Sequence, residues 1–380
     1  MTAERDGWKM TNPTGNQIMY VRIASEITLR RVRLESDNMF VNHYKSIGYK
    51  RNMKQTNSYP AWIDLHLHLD GSISLKTARK LAGMQSISLP DSHQVLQQRM
   101  SVIDGCKDLN DYLNRFQLPI SLLHIREALY LCTYELLDEL YEQGLRYAEI
   151  RFAPQLTYAQ ELQQYDAVQV VLRAIEDTPL PCGLILSMMR GSDNHIYNMK
   201  TIEVAKQFYG KGVVAVDLAG AEALYPTHTF REEFAAVRAA GIPLIVHAGE
   251  AAGPQSVREA VEAGAVRIGH GVRSLEDPEV IKMLVEKKIT LELCPTSNLH
   301  TGIFKAYKDY PLRQLMEKGV RVCLNTDNMT VSNTTLLEEW QHMMRAFHLT
   351  EEEKKQIVRN SIDASFAPQE LKKTLLAELN

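Results

Sequence analysis

From about residue 61 onward the chain repeats one pattern eight times: a short apolar, β-rich run, then a longer stretch with helical spacing. The runs are AWIDLHLH (61–68), LRYAEIRF (145–152), CGLILSMM (182–189), VVAVDLAG (213–220), IPLIVHAG (242–249), VRIGHG (266–271), ITLELCP (289–295) and VRVCLNTD (320–327). Between them, REALYLCTYELLDELYEQG (126–144) and FREEFAAVRAAG (230–241) carry apolar residues at helical spacing and close on glycine, a natural helix stop. Alternating strands and helices imply a parallel sheet with crossover helices. Eight repeats predict an α/β chain closed as a (β/α)₈ TIM barrel rather than an open sheet. The stretch from about 72 to 143 is too long for one crossover, so extra helices inserted after the first strand are expected over the barrel mouth.

At 380 residues and 45% hydrophobic content the chain can bury a core of that size. Its first 58 residues differ from the rest. They hold ten Lys/Arg and five Asp/Glu, a net +5, and leave 33 against 41, or −8, for the remainder. We expect residues 1–58 to be a poorly ordered N-terminal extension and residues 59–380 to be the barrel domain. Met53 would serve as an internal start of translation. The overall charge of −3 gives no general nucleic-acid footprint. No apolar run approaches the ~20 residues that span a bilayer, and the N-terminus lacks a signal-peptide core. Five scattered cysteines without a CxxC pair read as reduced thiols of a cytoplasmic protein. Monomer and homo-oligomer stay open.

A barrel of this kind places its chemistry at the C-terminal ends of the strands. Those ends here carry His66 and His68, Arg151, Arg190, Asp217 with Gly220, His247 with Glu250, His270, and Asp327. Strand positions i and i+2 face one way, so His66 and His68 can ligate one ion from one rigid element. Alone, H-x-H equally suits packed or solvated histidines. Joined by His247 and Asp327 at matching strand ends, it becomes a His₃Asp set suited to Zn²⁺ with one position left for water. Glu250 would sit near such an ion without binding it. A carboxyl group there moves protons if burial raises its pKa, although a glutamate at a helix start needs no such role. His270 is either a catalytic imidazole or a core histidine satisfied by backbone.

The ordered motifs HLHLDG (66–71), DLAGAE (217–222), HAGE (247–250), GHG (269–271), LCPTSNLHTG (293–302) and NTDN (325–328) resemble the adenosine deaminase family, from about residue 60 to the C-terminus. The resemblance implies zinc-dependent hydrolysis of adenosine, and of 2′-deoxyadenosine, to inosine or deoxyinosine and ammonia in purine salvage, with one Zn²⁺ per chain and a purine nucleoside as partner. It assigns His66, His68, His247 and Asp327 as zinc ligands. Glu250 would protonate purine N1, and His270 would orient and deprotonate the attacking water, making Glu250, His270 and Asp327 the catalytic group. Gly220 N–H would meet N3, and Asp70, with His68 nearby, the ribose 5′-hydroxyl. Leu109, Tyr112, Leu113 and Phe116 would form an apolar helix face over the purine, although their spacing suits core packing equally well. Many members carry Asp-Asp-Pro where this chain has Asp327-Asn328-Met329. Asn328 would donate to N7 without titrating.

The nearest rival is adenine deamination with the same metal site, in which the position of Asp70 resembles glutamate. A non-catalytic nucleoside-binding relative would have only the N-terminal extension in its favour. AMP deamination lacks an evident phosphate-binding region. The spacing disfavours a deaminase of the H-x-E with P-C-x-x-C design.

Overall fold

The computed structural model describes residues 62–379 except 104 and 158–161, together with two short strands, Met10–Thr11 and Gln17–Ile18. These two pair antiparallel within a unit that spans Met1–Lys54. The expectation of a poorly ordered 1–58 otherwise lies outside the described residues.

The second unit, Gln55–Asn380, is the barrel. Its strands are β1 (Ile63–His68), β2 (Tyr147–Phe152), β3 (Cys182–Met189), β4 (Val213–Ala219), β5 (Leu244–Ala248), β6 (Ala265–His270), β7 (Thr290–Leu293) and β8 (Arg321–Leu324). Each pairs in parallel with its neighbour in sequence order, so all eight expected runs supply a strand of one sheet. Helices α1 (Leu75–Gln85), α2 (His93–Met100), α3 (Leu109–Leu113) and α4 (Gln117–Ser121) form the insert after β1. The crossovers run outside the sheet as α5 (Arg126–Glu142), α6 (Gln164–Glu176), α7 (His195–Phe208), α8 (Arg231–Ala239), α9 (Pro254–Glu262), α10 (Pro278–Glu286) and the pair α11 (Pro295–His300) and α12 (Leu312–Glu317). Helices α13 (Leu336–Phe347), α14 (Glu351–Ala364) and α15 (Gln369–Leu379) finish the chain. Local sequence explains the ends: α1 starts where the Ser74 hydroxyl accepts from Thr77 N–H, and α5 stops before Gly144 at φ +92°.

The first and last strands meet through a short seam. One bridge joins Leu67 to Asp327, with His68 N–H donating to Asp327 O at 2.7 Å and Asp327 N–H to His66 O at 2.8 Å. Side chains complete it. Leu65 N–H donates to Asn325 Oδ1 at 2.9 Å, and the Thr326 hydroxyl to Asp64 Oδ2 at 2.6 Å. Asp64 therefore binds structure rather than ligand.

The barrel axis is charged rather than aliphatic. Glu149, Arg151, Asp217, Arg267 and Glu292 are buried there. Isolated, each would carry a desolvation cost of several kcal/mol, so they form one network. Arg267 donates from Nε to Glu292 Oε1 and from Nη2 to Glu149 Oε2, both at 2.6 Å. Arg151 Nη2 donates to Glu292 Oε2 at 2.9 Å, and its Nη1 lies 3.4 Å from Asp217 Oδ2. The turn between α14 and α15 closes the network from the N-terminal end of the barrel. Phe366 N–H donates to Glu149 Oε1 at 2.6 Å, and the Phe366 ring lies 4.6 Å from the Arg267 guanidinium.

Candidate active site

Four ligand atoms, one each from His66, His68, His247 and Asp327, lie within 4.8 Å of one another at the C-terminal mouth. The arrangement follows from the pleat and the seam. His66 and His68 stand on one face of β1, His247 on β5, and Asp327 follows β8 in the left-handed region at φ +62°. His68 Nε2 and His247 Nε2 face each other at 3.2 Å, and Asp327 Oδ1 lies 3.4 Å from the Nε2 atoms of both His66 and His68.

The outer nitrogens of His66 and His247 are taken. His66 Nδ1 meets Glu292 Oε2 at 2.7 Å, and His247 Nδ1 meets Asp217 Oδ1 at 3.0 Å. A carboxylate behind Nδ1 keeps the ring hydrogen there and aims the Nε2 lone pair inward. Ser297 Oγ donates to Asp327 Oδ2 at 2.6 Å, leaving Oδ1 toward the cluster. His66 Nε2 is buried with no protein hydrogen-bond partner. Converging nitrogen lone pairs with one carboxylate and an orphaned imidazole nitrogen fit a divalent cation of the zinc type. This support on the ligands was the part that sequence reasoning missed. The signals were Asp217 and Arg151 at strand ends and single charged residues, Arg267 and Glu292, inside otherwise apolar strands.

Glu250 and His270 stand over this cluster, both buried. Glu250 Oε2 lies 3.6 Å from His270 Nε2, and Glu250 Oε1 has no hydrogen-bond partner. Burial pushes the Glu250 carboxyl well above its ordinary range, with the charges of Asp327 and Glu222 adding to it. The shift favours the protonated form of Glu250. Burial also drives His270 well below the usual imidazole value, so its ring is neutral. Tyr310 O–H donates to Asn298 Oδ1 at 2.9 Å, and Asn298 Nδ2 donates to His270 Nδ1 at 3.1 Å. That chain puts the ring hydrogen on Nε2, facing Glu250. His270 also has a left-handed backbone, φ +62°, as Asp327 does. For non-glycine residues such strain costs about 1–3 kcal/mol and gathers at working sites.

A cavity of about 190 Å³ opens above these groups. Of the residues singled out from sequence, His68, Asp70, Leu109, Tyr112, Leu113, Phe116, Gly220, His247, Glu250, His270, Asp327 and Asn328 line it. His66 lies beneath the lining. Asp70 sits in a 3₁₀ turn past β1, and burial raises its carboxyl to about 6. Gly220 has φ +107°, while a Cβ there would meet only ordinary contacts, so its backbone angle demands the glycine. Asn328 Nδ2 donates to Tyr112 O–H at 3.1 Å, the same hydroxyl that lies 2.6 Å from Ser332 Oγ.

The expected apolar helix face is broken: α3 ends at Leu113, and Phe116 belongs to a 3₁₀ turn, Asn114–Phe116. The face serves the core and the cavity at once. Leu109 and Tyr112 pack with Val102 and Val331 into a small core while also facing the cavity. A larger hollow, about 880 Å³, lies outside the barrel against Ile196, Tyr197 and Ala239, remote from every one of these groups.

The adenosine deaminase family model matches residues 62–380. The chain belongs to the adenosine deaminase family. Among its relatives, an adenosine deaminase from Haemophilus ducreyi is 47% identical over 326 residues, covering 83% of this chain and 95% of that one. An adenosine deaminase from Enterococcus faecalis is 39% identical over 317 residues, covering 82% and 94%. Among solved structures, an adenine deaminase from Arthrobacter aurescens superposes with a TM-score of 0.75 at 25% identity, covering 84% of this chain and 98% of that one. An amidohydrolase from Burkholderia ambifaria with bound Zn gives 0.73 at 22% identity, covering 87% and 93%, and shares the fold. Members of this deaminase family depend on a metal, and the His₃Asp cluster is a possible site for it. Among the described residues no helix is long and apolar enough to cross a membrane.

Proposed function

We propose that the chain hydrolyses adenosine, and 2′-deoxyadenosine, to inosine or deoxyinosine and ammonia, using one Zn²⁺ held by His66, His68, His247 and Asp327. The observation that carries this reading is the unpartnered Glu250 carboxyl beside a neutral His270, above converging lone pairs, in one cavity. Zinc in that set would supply a Lewis acid and a water acidic enough to act near neutral pH.

The remaining work falls to side chains. Protonated Glu250 gives its proton to purine N1, which draws electrons from C6 and opens it to water. His270, with its hydrogen on Nε2, orients the incoming water oxygen by donation; with Nδ1 accepting from Asn298 it keeps no lone pair for deprotonating that water, so the expected base role is not part of this reading. Water adds at C6, one of its protons passing to the N6 amine and the other returning to the Glu250 carboxylate; the C6–N6 bond then breaks and the amine leaves as ammonia. Gly220 N–H meets N3, Asn328 donates to N7, and Leu109, Tyr112, Leu113 and Phe116 shut water from the ring. Asp70, at the rim, accepts from the ribose 5′-hydroxyl. Free cysteines at all five positions support a reducing, cytoplasmic setting and a role in purine salvage.

The likeness to an adenine deaminase favours a second reading, in which the free base is the substrate. Asp70 argues against it, because a rim carboxylate needs a sugar hydroxyl to meet. The test compares turnover of adenosine, deoxyadenosine, adenine and AMP by zinc-loaded protein, with and without Glu250→Gln. Adenosine is expected to lead, with turnover of E250Q down roughly 100-fold or more. Faster turnover of adenine would overturn the substrate, and an active E250Q the role of Glu250.

A further inference from the structure

We infer that Glu222 is a positioning residue, whose carboxylate fixes the loop after β5 so that the Glu250 carboxyl faces the reacting ring. The inference rests on the reading of Glu250 as the proton donor.

The Glu250 carboxyl is not aimed by its own contacts. Oε1 has no partner, and the 3.6 Å from Oε2 to His270 Nε2 is too long for a hydrogen bond. Its direction must come from its backbone. Two of the loop's carbonyls are held from the β6 side: Gly271 N–H donates to Ala248 O and Arg273 N–H to Gly249 O, both at 3.0 Å. The loop's N–H groups are held by one side chain. Gly249 N–H donates to Glu222 Oε1 at 2.7 Å, Glu250 N–H to Oε2 at 3.0 Å, and Ala252 N–H to Oε2 at 2.8 Å. Ser256 Oγ, on α9, adds a fourth donor to Oε1 at 2.5 Å.

Glu222 is buried, so water does not share these donors. It also follows Gly220 by two residues. One short segment past β4 thus lines the cavity at Gly220 and reaches across to set the acid of the next loop.

The carboxylate is specifically required. Both of its oxygens accept twice, once from each of two donors. A glutamine has one oxygen and one NH₂, so a backbone N–H would confront an N–H whichever way the amide turned. The loop would have to move, and displacements of about 1 Å at a reacting group cost on the order of 100-fold in rate. Gly220 keeps its place through β4 itself, with Arg190 N–H donating to Ala219 O at 2.8 Å. Substrate affinity should therefore suffer little.

The test uses the full, zinc-loaded chain with Glu222→Gln, Glu222→Ala and Ser256→Ala beside E250Q. Zinc content, the thermal transition, and kcat and KM for adenosine are measured for each. E222Q and E222A are expected to keep full zinc, to lose about 100-fold in kcat, and to shift KM by no more than about 3-fold. S256A, which leaves three of the four donors, should lose less than about 10-fold. A folded, zinc-loaded E222Q with kcat near that of the parent overturns the inference, and so does a change confined to KM. Loss of zinc or of the fold in both variants would make Glu222 a scaffold residue and also overturn it. An active E250Q defeats the underlying reading instead; an inactive E250Q beside a fully active E222Q defeats this inference alone.

Discussion

Glu292 joins the metal cluster to the charged axis, and changing it to glutamine separates two functions. Burial opposes its ionisation, but Arg151 and Arg267 hold its carboxyl well below the ordinary range, so it is the anion. It accepts from Arg267 Nε at 2.6 Å, Arg151 Nη2 at 2.9 Å and His66 Nδ1 at 2.7 Å. Glutamine fits the space but directs an NH₂ at one of these donors and leaves two buried guanidinium groups with one anion fewer. Breaking a buried charge network in this way costs about 3–5 kcal/mol. Losing the carboxylate behind His66 Nδ1 also lowers metal affinity, by roughly 10- to 100-fold for such outer partners. Glu149→Gln is the control. Glu149 also meets Arg267, at 2.6 Å, but does not touch His66. Urea unfolding of both metal-free variants and zinc competition against a chelator measure the two effects. Both should be destabilised, and only Glu292→Gln should release zinc more readily. Equal zinc affinities would refute the argument that Glu292 directs His66.

Two further outcomes follow from other buried groups. Burial raises the Glu339 carboxyl from 4.5 to about 7, despite donation from Thr296 N–H and the Thr334 hydroxyl. The native state thus binds more protons than the unfolded one between these values, and stability falls as pH rises through that window, by on the order of 3 kcal/mol in all. Unfolding measured from pH 4 to 8 should show the slope, and Glu339→Gln should flatten it; an unchanged slope would remove Glu339 as its source. Asn328→Asp replaces a permanent donor by one that donates only when protonated, so KM for adenosine should climb with pH, by roughly 10-fold for each bond's worth of about 1.4 kcal/mol lost. A flat KM profile would take Asn328 out of substrate binding.

Much of this was readable in the chain because the relevant signals are local or periodic. The eight strands were legible because each crossover resets the pattern from a β-rich run to helical spacing, and glycines such as Gly144 mark where helices stop. The convergence of His66, His68, His247 and Asp327 was legible because a parallel barrel brings every strand's end to the same mouth. Contacts made by depth were not. Glu149, Arg267 and Glu292 lie at inward positions of β2, β6 and β7, and their partners are chosen by the width of the barrel rather than by spacing in sequence. Glu222 looked like one more residue of a loop motif, and only the fold shows three backbone N–H groups turned toward it. The break between Leu113 and Phe116 escaped for a different reason: a 3₁₀ turn keeps nearly the same side-chain spacing as the α-helix it interrupts.

The seam between β1 and β8 gives the metal a mechanical meaning. Leu65 and Asn325 meet there although 260 positions separate them. Only a few backbone and side-chain hydrogen bonds zip that edge, and Asp327 belongs both to the zip and to the ligand set. An ion held by His66, His68 and Asp327 would then be a reversible cross-link that closes nearly the whole domain into a ring. It would penalise the unfolded chain as any long loop closure does. Without it, only the few seam hydrogen bonds would hold that edge. On the proposed reading, catalyst and clasp would be the same ion.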